Sequence, residues 1–232
     1  DIVSPARMTR IHRIDLDNRV AHVDAGVRNT ALTDALAALP GGSAWHFAPD
    51  PSSQRASTIG GNAAANAGGI HTLKDFVSSN HVLGIEIVLA DGSVARIGAS
   101  DGCHESPPLD LPGLVCGSEG TLGIISTLWV RLTPKPTAFR NIVGIFATQA
   151  DACRAISDII AAGHLPAAME MLDGQMVQII EDAYHFGFAR DAAALVLTEL
   201  DGVEDLLDEQ MRQVIEVFRR HNPISVESSA DP

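Results

Sequence analysis

Apolar side chains recur at every second position through Leu83, Ile85, Ile87 and Leu89, the period of a strand with one buried face. Asp91-Gly92 follows as a two-residue turn, and a second strand from Val94 to Ile97 completes a hairpin. The same alternation sets Ala21, Val23 and Ala25 opposite His22 and Asp24 and ends at Gly26. Beyond it, Asn29 or Thr30 can cap a short helix whose Leu32, Leu36 and Leu39 form an apolar stripe, stopped by Pro40-Gly41-Gly42. Residues 123–132 read as a further buried strand. Between these elements, residues 45–80 lack apolar periodicity and are rich in Gly, Asn, Ser and Pro. A loop this long inside a folded chain is usually functional or disordered.

Pro134-Lys135-Pro136 resists both helix and central strand and marks a domain boundary, giving domains of 1–135 and 136–232. Past it the rhythm changes. Strands are expected at 141–148, 167–172 and 193–200. They alternate with a helix at 150–162 (Ala152, Ala155, Ile156, Ile159 and Ile160 inward, Gly163 at its end), one capped by Asp173, and one from Glu204 to Arg220. Alternating strands and helices suit an α+β sandwich of the ferredoxin-like kind.

Composition narrows the function classes. Hydrophobic residues make up 46% of the 232, enough for a core, but aromatics are 4%, too few for base-stacking platforms. A formal net charge of −13 opposes nucleic acid and anionic membrane surfaces as partners. Cys103, Cys116 and Cys153 form no C-x-x-C, and the histidines show no metal-binding spacing, so a reduced, cytoplasmic setting and no metal site are expected. No apolar run approaches the ~20 residues of a membrane span.

Two glycine clusters remain as candidate chemistry. The first runs Pro49-Asp50-Pro51-Ser52, then Thr58-Ile59-Gly60-Gly61-Asn62, then Asn66-Ala67-Gly68-Gly69. Paired glycines remove side chains and permit positive φ, so backbone N–H groups can converge on an anion or a flat ring. The second is Gly117-Ser118-Glu119-Gly120-Thr121-Leu122-Gly123, leading into a strand. Each alone reads more readily as a set of turns. Neither fits a P-loop or a Rossmann fingerprint.

In order, with the hairpin between them, the clusters resemble the FAD-linked oxidases of the vanillyl-alcohol oxidase/p-cresol methylhydroxylase superfamily, nearest the FAD subunit of glycolate oxidase and the D-lactate dehydrogenases. Pro166–Asp173 and Leu197–Gly202 resemble segments of that family's cap domain. The resemblance implies the larger, second part of a p-cresol-methylhydroxylase-type FAD-binding domain, followed by part of a ferredoxin-like cap. It implies FAD as cofactor, a small 2-hydroxy acid as substrate, and an iron–sulfur or other electron-transfer subunit as partner, by which the protein could associate peripherally with a membrane. Thr58–Asn62 and Asn66–Gly69 would lie along the isoalloxazine, ribityl chain and pyrophosphate. Pro49–Ser52 would wall the flavin, and Gly117–Ile125, including Ser118, Glu119, Gly120 and Gly123, would run past the adenine with Ile125 near the ring. Asp50 and Glu119, being anionic, are expected to buttress loops by accepting N–H bonds.

Two departures fall beside these loops. Lys74-Asp75-Phe76 stands where the family pattern is Lys-Tyr-Gly, and Pro108-Leu109-Asp110-Leu111 where it is Gly-Tyr-Asp-Leu. The family's upstream phosphate loop and its C-terminal histidine segment have no match here, so the chain is expected to be a portion of the enzyme, to carry no assigned catalytic residue and to bind FAD poorly in isolation. The alternatives are a same-fold enzyme of other chemistry, of the alkylglycerone-phosphate synthase or enolpyruvyl reductase type, and a non-catalytic scaffold subunit.

Overall fold

The structure, a computed structural model, describes residues 3–99 and 109–229. Pro108 and Cys103 lie outside the described residues. The chain divides into two compact units, Asp1–Lys135 and Pro136–Pro232.

In the first unit the alternating run becomes β4, Val82–Val88, and turns back as β5, Val94–Gly98, in the antiparallel hairpin the sequence predicts. Gly92 in that turn has φ +82°, a left-handed conformation that costs glycine nothing. With β1 (Ile11–Asp15), β2 (Val20–Asp24) and β6 (Ile124–Arg131) they form an antiparallel sheet in the order β1-β2-β6-β4-β5. One face buries Ala21, Val23, Ile85, Ile87, Leu128 and Val130. Two helices pack into the same core: α1 (Asn29–Ala37) through Leu32 and Leu36, and α2 (Ile59–Ala65) through Ile59 and Ala63. Leu39 falls beyond the last turn of α1 and is exposed, so the stripe is shorter than expected. On the other face His12, His22 and Trp129 stack across three strands, at ring separations of 4.4 and 4.2 Å. A two-residue pair, β3 (Trp45–His46) with β7 (Thr133–Pro134), and two short helices, α3 (Thr72–Asp75) and α4 (Leu111–Val115), complete the unit. Asp110 caps α4 by accepting the Gly113 N–H at 2.9 Å.

The second unit runs β8 (Ala138–Phe146), α5 (Gln149–Ala161), β9 (Ala168–Asp173), α6 (Gly174–Tyr184), β10 (Ala194–Gly202), α7 (Glu204–Arg219) and β11 (Pro223–Ser229). Its antiparallel sheet has the order β11-β8-β10-β9, so the first and third strands lie inside. Helices α5 and α7 cover one face, where Ile142, Phe146, Val196, Ile159, Val214 and Phe218 meet. Helix α6 covers part of the other, through Val177 against Ile145 and Leu195. Asp173 caps α6 as expected, accepting the Met176 N–H at 2.8 Å, and Thr148 caps α5. Ile160, expected inward, is 41% exposed because it sits one residue off the Ala152–Ala155–Ile159 face. Strand β11 carries mostly polar residues and was not legible as a strand. It pairs on one side alone, as an edge strand can.

Candidate functional site

The first glycine cluster owes its shape to close approach more than to unusual φ angles. Thr58 caps α2, its hydroxyl accepting the Gly61 N–H at 3.1 Å. The Ile59 N–H donates to Val27 O at 2.8 Å and the Gly60 N–H to Ala25 O at 2.9 Å. The N–H groups expected to converge on an anion are therefore engaged within the chain at 59, 60 and 61. A Cβ on Gly60 would stand 2.4 Å from the Ala25 Cβ, so glycine here lets the helix rest directly on the end of β2. Gly61 faces outward, where an added Cβ would meet only the Thr58 hydroxyl within 4 Å, at 3.1 Å.

The second cluster does use the left-handed region. Gly117, Glu119, Gly120 and Gly123 have φ of +82°, +51°, +79° and +153°. That path brings the Gly117 and Glu119 N–H groups to the Ala63 and Ala64 carbonyls, both at 2.9 Å. These carbonyls belong to the last turn of α2; Ala63 O also takes the Asn66 N–H at 3.1 Å, and the loop supplies the donor for Ala64 O. Gly123 lies against β4, where a Cβ would be 2.7 Å from Val88 O.

Together the clusters line a pocket of about 420 Å³, within the range of small-molecule sites. Thr58, Gly60, Gly61 and Ala64 form one wall, with Ala25. Ser118, Glu119, Gly120, Gly123, Ile124 and Ile125 form another, and Val3, Ser4, Pro5 and Ala6 a third. The lining is uncharged apart from the exposed Glu119, and its glycines and alanines are small beside the larger Val3, Ile124 and Ile125. A Cβ on Gly120 would meet nothing closer than 4.0 Å. Such walls admit a flat group at van der Waals distance. They fit a ring or nucleoside portion of FAD better than its doubly charged pyrophosphate, which no cation among these residues would balance.

The remaining residues of the first cluster lie elsewhere. Asn62 is buried and donates its amide N–H to Asn29 Oδ1 at 2.8 Å. Asn29, equally buried, donates in turn to Pro49 O at 2.6 Å. This amide chain ties α2, the start of α1 and the Pro49–Ser52 turn together. Asn29 is thus not the cap of α1; that position is Arg28, which makes no side-chain cap bond. Pro51 is buried within the turn and Ser52 is exposed. Asn66 ends α2 in the left-handed conformation (φ +49°) and accepts the Ser79 N–H at 2.9 Å. Ala67 O accepts the Ser78 hydroxyl at 2.7 Å. Gly68 and Gly69 lead into α3, where Thr72 Oγ1 accepts the Gly69 N–H at 2.8 Å.

Asp50 buttresses this region by a route the sequence did not suggest. Its partner is the His71 imidazole, with Nδ1 2.5 Å from Oδ2. Glu119, expected to accept N–H bonds, makes no side-chain hydrogen bond among the described residues. Two further histidines lie nearby. Burial holds His46 below the ordinary imidazole range, with Asp75 opposing that shift. His81 is buried, its Nε2 bonded to Asp75 O at 2.6 Å and its Nδ1 without a partner. Among the described residues no group of three His, Cys, Asp or Glu is placed to hold a metal.

Several of these residues escaped sequence reasoning. Val3–Ala6, Ala25 and Ala64 have no chemical signature, and Asn29 looked like a helix cap. His71 stands two residues after Gly69 but matches no motif by itself.

A model described as an FAD binding domain matches residues 2–98, and one described as the C-terminal domain of FAD linked oxidases matches residues 135–232. The glycolate oxidase subunit GlcD of Escherichia coli K12 is 39% identical over 97% of this chain and 44% of its own length. The D-lactate dehydrogenase of Archaeoglobus fulgidus is 37% identical over 78% of this chain and 39% of its own. The chain therefore spans less than half the length of these relatives. Among solved structures, an alkyldihydroxyacetonephosphate synthase aligns with TM-score 0.77 at 19% identity, over 98% of this chain and 42% of its own. A substrate-bound p-cresol methylhydroxylase aligns with TM-score 0.74 at 16% identity, over 96% and 48%. These structural likenesses show a shared fold.

Proposed function

The chain belongs to the FAD-linked oxidases, and on that premise we propose that it forms much of the flavin cradle and part of the cap of an enzyme that oxidises a small 2-hydroxy acid of the glycolate or D-lactate type. One observation carries the reading. The two glycine clusters, about 60 residues apart in sequence, meet at a single small-walled pocket of about 420 Å³. When bound, FAD supplies the redox chemistry by accepting a hydride from the hydroxyl-bearing carbon. The chain's own work is to hold it: Thr58, Gly60, Gly61, Gly120, Gly123 and Ile125 as walls, Ser118 and Glu119 at the rim. Asn62, Asn66, Ala67, Gly68 and Gly69 would extend that wall past the far end of α2 toward Pro49–Ser52.

The name of the Escherichia coli relative includes the word subunit, which supports a partner for this protein also. We assign that partner the role of electron acceptor, as an iron–sulfur or other electron-transfer subunit. No helix among the described residues is long and apolar enough to cross a membrane. From the three widely spaced cysteines we place the protein in the cytoplasm, with peripheral association at a membrane through that partner.

The test is spectroscopic and then chemical. The whole protein that carries this chain should purify with flavin absorbance, or gain it on adding FAD, and glycolate or D-lactate should bleach it anaerobically. A protein with no flavin after reconstitution overturns the reading. A flavoprotein bleached by neither acid is an enzyme of other chemistry on this fold.

A further inference from the structure

Asp50 was read from sequence as a wall of the cofactor loop and as an acceptor of backbone N–H bonds. In the structure it joins two loops through side chains. Its carboxylate meets His71 Nδ1 at 2.5 Å, both groups being about three-quarters buried, with side-chain exposures of 21% and 25%. The backbone of Gly69 lies flat against the same residue. A Cβ there would stand 2.3 Å from Asp50 Oδ1 and 2.4 Å from Asp50 O, so Gly69 admits no side chain without moving Asp50. The preceding residue, Pro49, is fixed by Asn29 Nδ2, which donates to its carbonyl at 2.6 Å. The Pro49–Ser52 turn is thus held between a buried amide and an imidazole.

Neither Asp50 nor His71 lines the pocket. Helix α2, of 7 residues, lines the pocket through Gly60, Gly61 and Ala64, and from Asn66 the chain leads on into the Gly68–His71 segment. At 1.5 Å per residue it is roughly 10 Å long. That length is short of an extended dinucleotide. A dinucleotide seated in the pocket and lying along α2 would therefore extend past the helix, toward the segment that Asp50 and His71 join.

We propose that Asp50 and His71 form a clasp that sets the wall of the cofactor cradle beyond the pocket, with Asp50 the positioning residue for His71 and for the Gly69 backbone. The proposal rests on the reading that this chain holds FAD. A carboxylate–imidazole hydrogen bond is among the stronger kinds and, partly shielded from water, fixes both loops at once. The clasp acts as a unit, so breaking either half releases the same wall.

The experiment is a double-mutant cycle on the whole protein, read by FAD titration and by thermal melting. Asp50→Ala and His71→Ala should each weaken FAD binding about tenfold, and the double variant should lose no more than either single one. Asp50→Asn keeps an amide oxygen that accepts the imidazole N–H and should recover affinity to within about threefold of the parent. Melting of the FAD-free forms should change little, which separates a positioning role from general destabilisation. In nitrogen NMR the His71 Nδ1 resonance should move in Asp50→Ala and return most of the way in Asp50→Asn. Losses that multiply in the double variant, or single variants that bind FAD like the parent, overturn the clasp. A parent protein that takes up no FAD overturns instead the functional reading beneath it, and the Nδ1 resonance then still decides whether Asp50 holds His71.

Discussion

Gly60 and Gly61 are adjacent and identical in sequence, yet the structure gives them different tasks. Gly60 is buried against Ala25, and Gly61 is exposed at the pocket. Gly60→Ala should therefore cost stability, about 1–3 kcal/mol as overpacking, measured by chemical denaturation of the FAD-free protein. Gly61→Ala should leave the denaturation midpoint nearly unchanged but weaken FAD in titration, because its methyl group enters the cofactor space. Equal effects on folding would refute the division. Sequence could name both glycines because paired glycines are visible; it could not separate them, because Ala25 on the other side of the contact carries no signal. Cysteines show the same limit. Burial pushes the Cys116 thiol up to about 11, while Cys153 is exposed. At pH 8 Cys116 is almost wholly protonated, so an alkylating reagent should label Cys153 rapidly and Cys116 only on unfolding. Mass spectrometry of the labelled native protein checks this.

At the scale of elements, the hairpin β4–β5 and the helices α5, α6 and α7 were legible because period and caps agree: Asp91-Gly92 for the turn, Asp173 for α6. What was not legible is what closes each element onto its neighbours. Glu181, on α6, is buried and its carboxylate accepts the N–H groups of Gly187 and Phe188 at 2.9 and 3.0 Å. It fixes the segment after the helix, where His185 and Gly187 both have positive φ. Glu181→Ala should speed amide hydrogen exchange at Gly187 and Phe188 by tenfold or more, about 1.4 kcal/mol, while the middle of α6 stays protected. Uniform loss across α6 would mean that Glu181 supports the helix and not the turn. Helix α7 depends on a different contact. Phe218 packs edge-on to Phe146 at 5.7 Å, and Gly144 gives it room, since a Cβ there would come within 3.2 Å of the ring. Phe218→Ala should cost about 3–5 kcal/mol. Denaturant titration reads that loss directly.

For the molecule as a whole, fold class followed from the order of elements and from the two glycine clusters read as a pair. The layered details followed less well. β11 was missed because its polar residues give no period-two signal, and α6 occupies a sheet face of its own although it is amphipathic, as α5 is. Each unit has a hydrophobic core of its own. Residues 136–232, expressed alone, should accordingly melt cooperatively with dispersed amide resonances, as a domain with its own core does. A molten or unfolded fragment would show that the second unit depends on the first.

The internal hydrogen bonds of Ile59, Gly60 and Gly61 have a thermodynamic consequence. Because those amides are satisfied before any ligand arrives, the α2 floor is preorganised, and an incoming cofactor has little backbone to order there. Its association should accordingly carry a small conformational-entropy penalty from this segment, and calorimetry should find most of the unfavourable ordering in the loops around it. A floor already assembled favours rapid capture and leaves residence time to the loops around it.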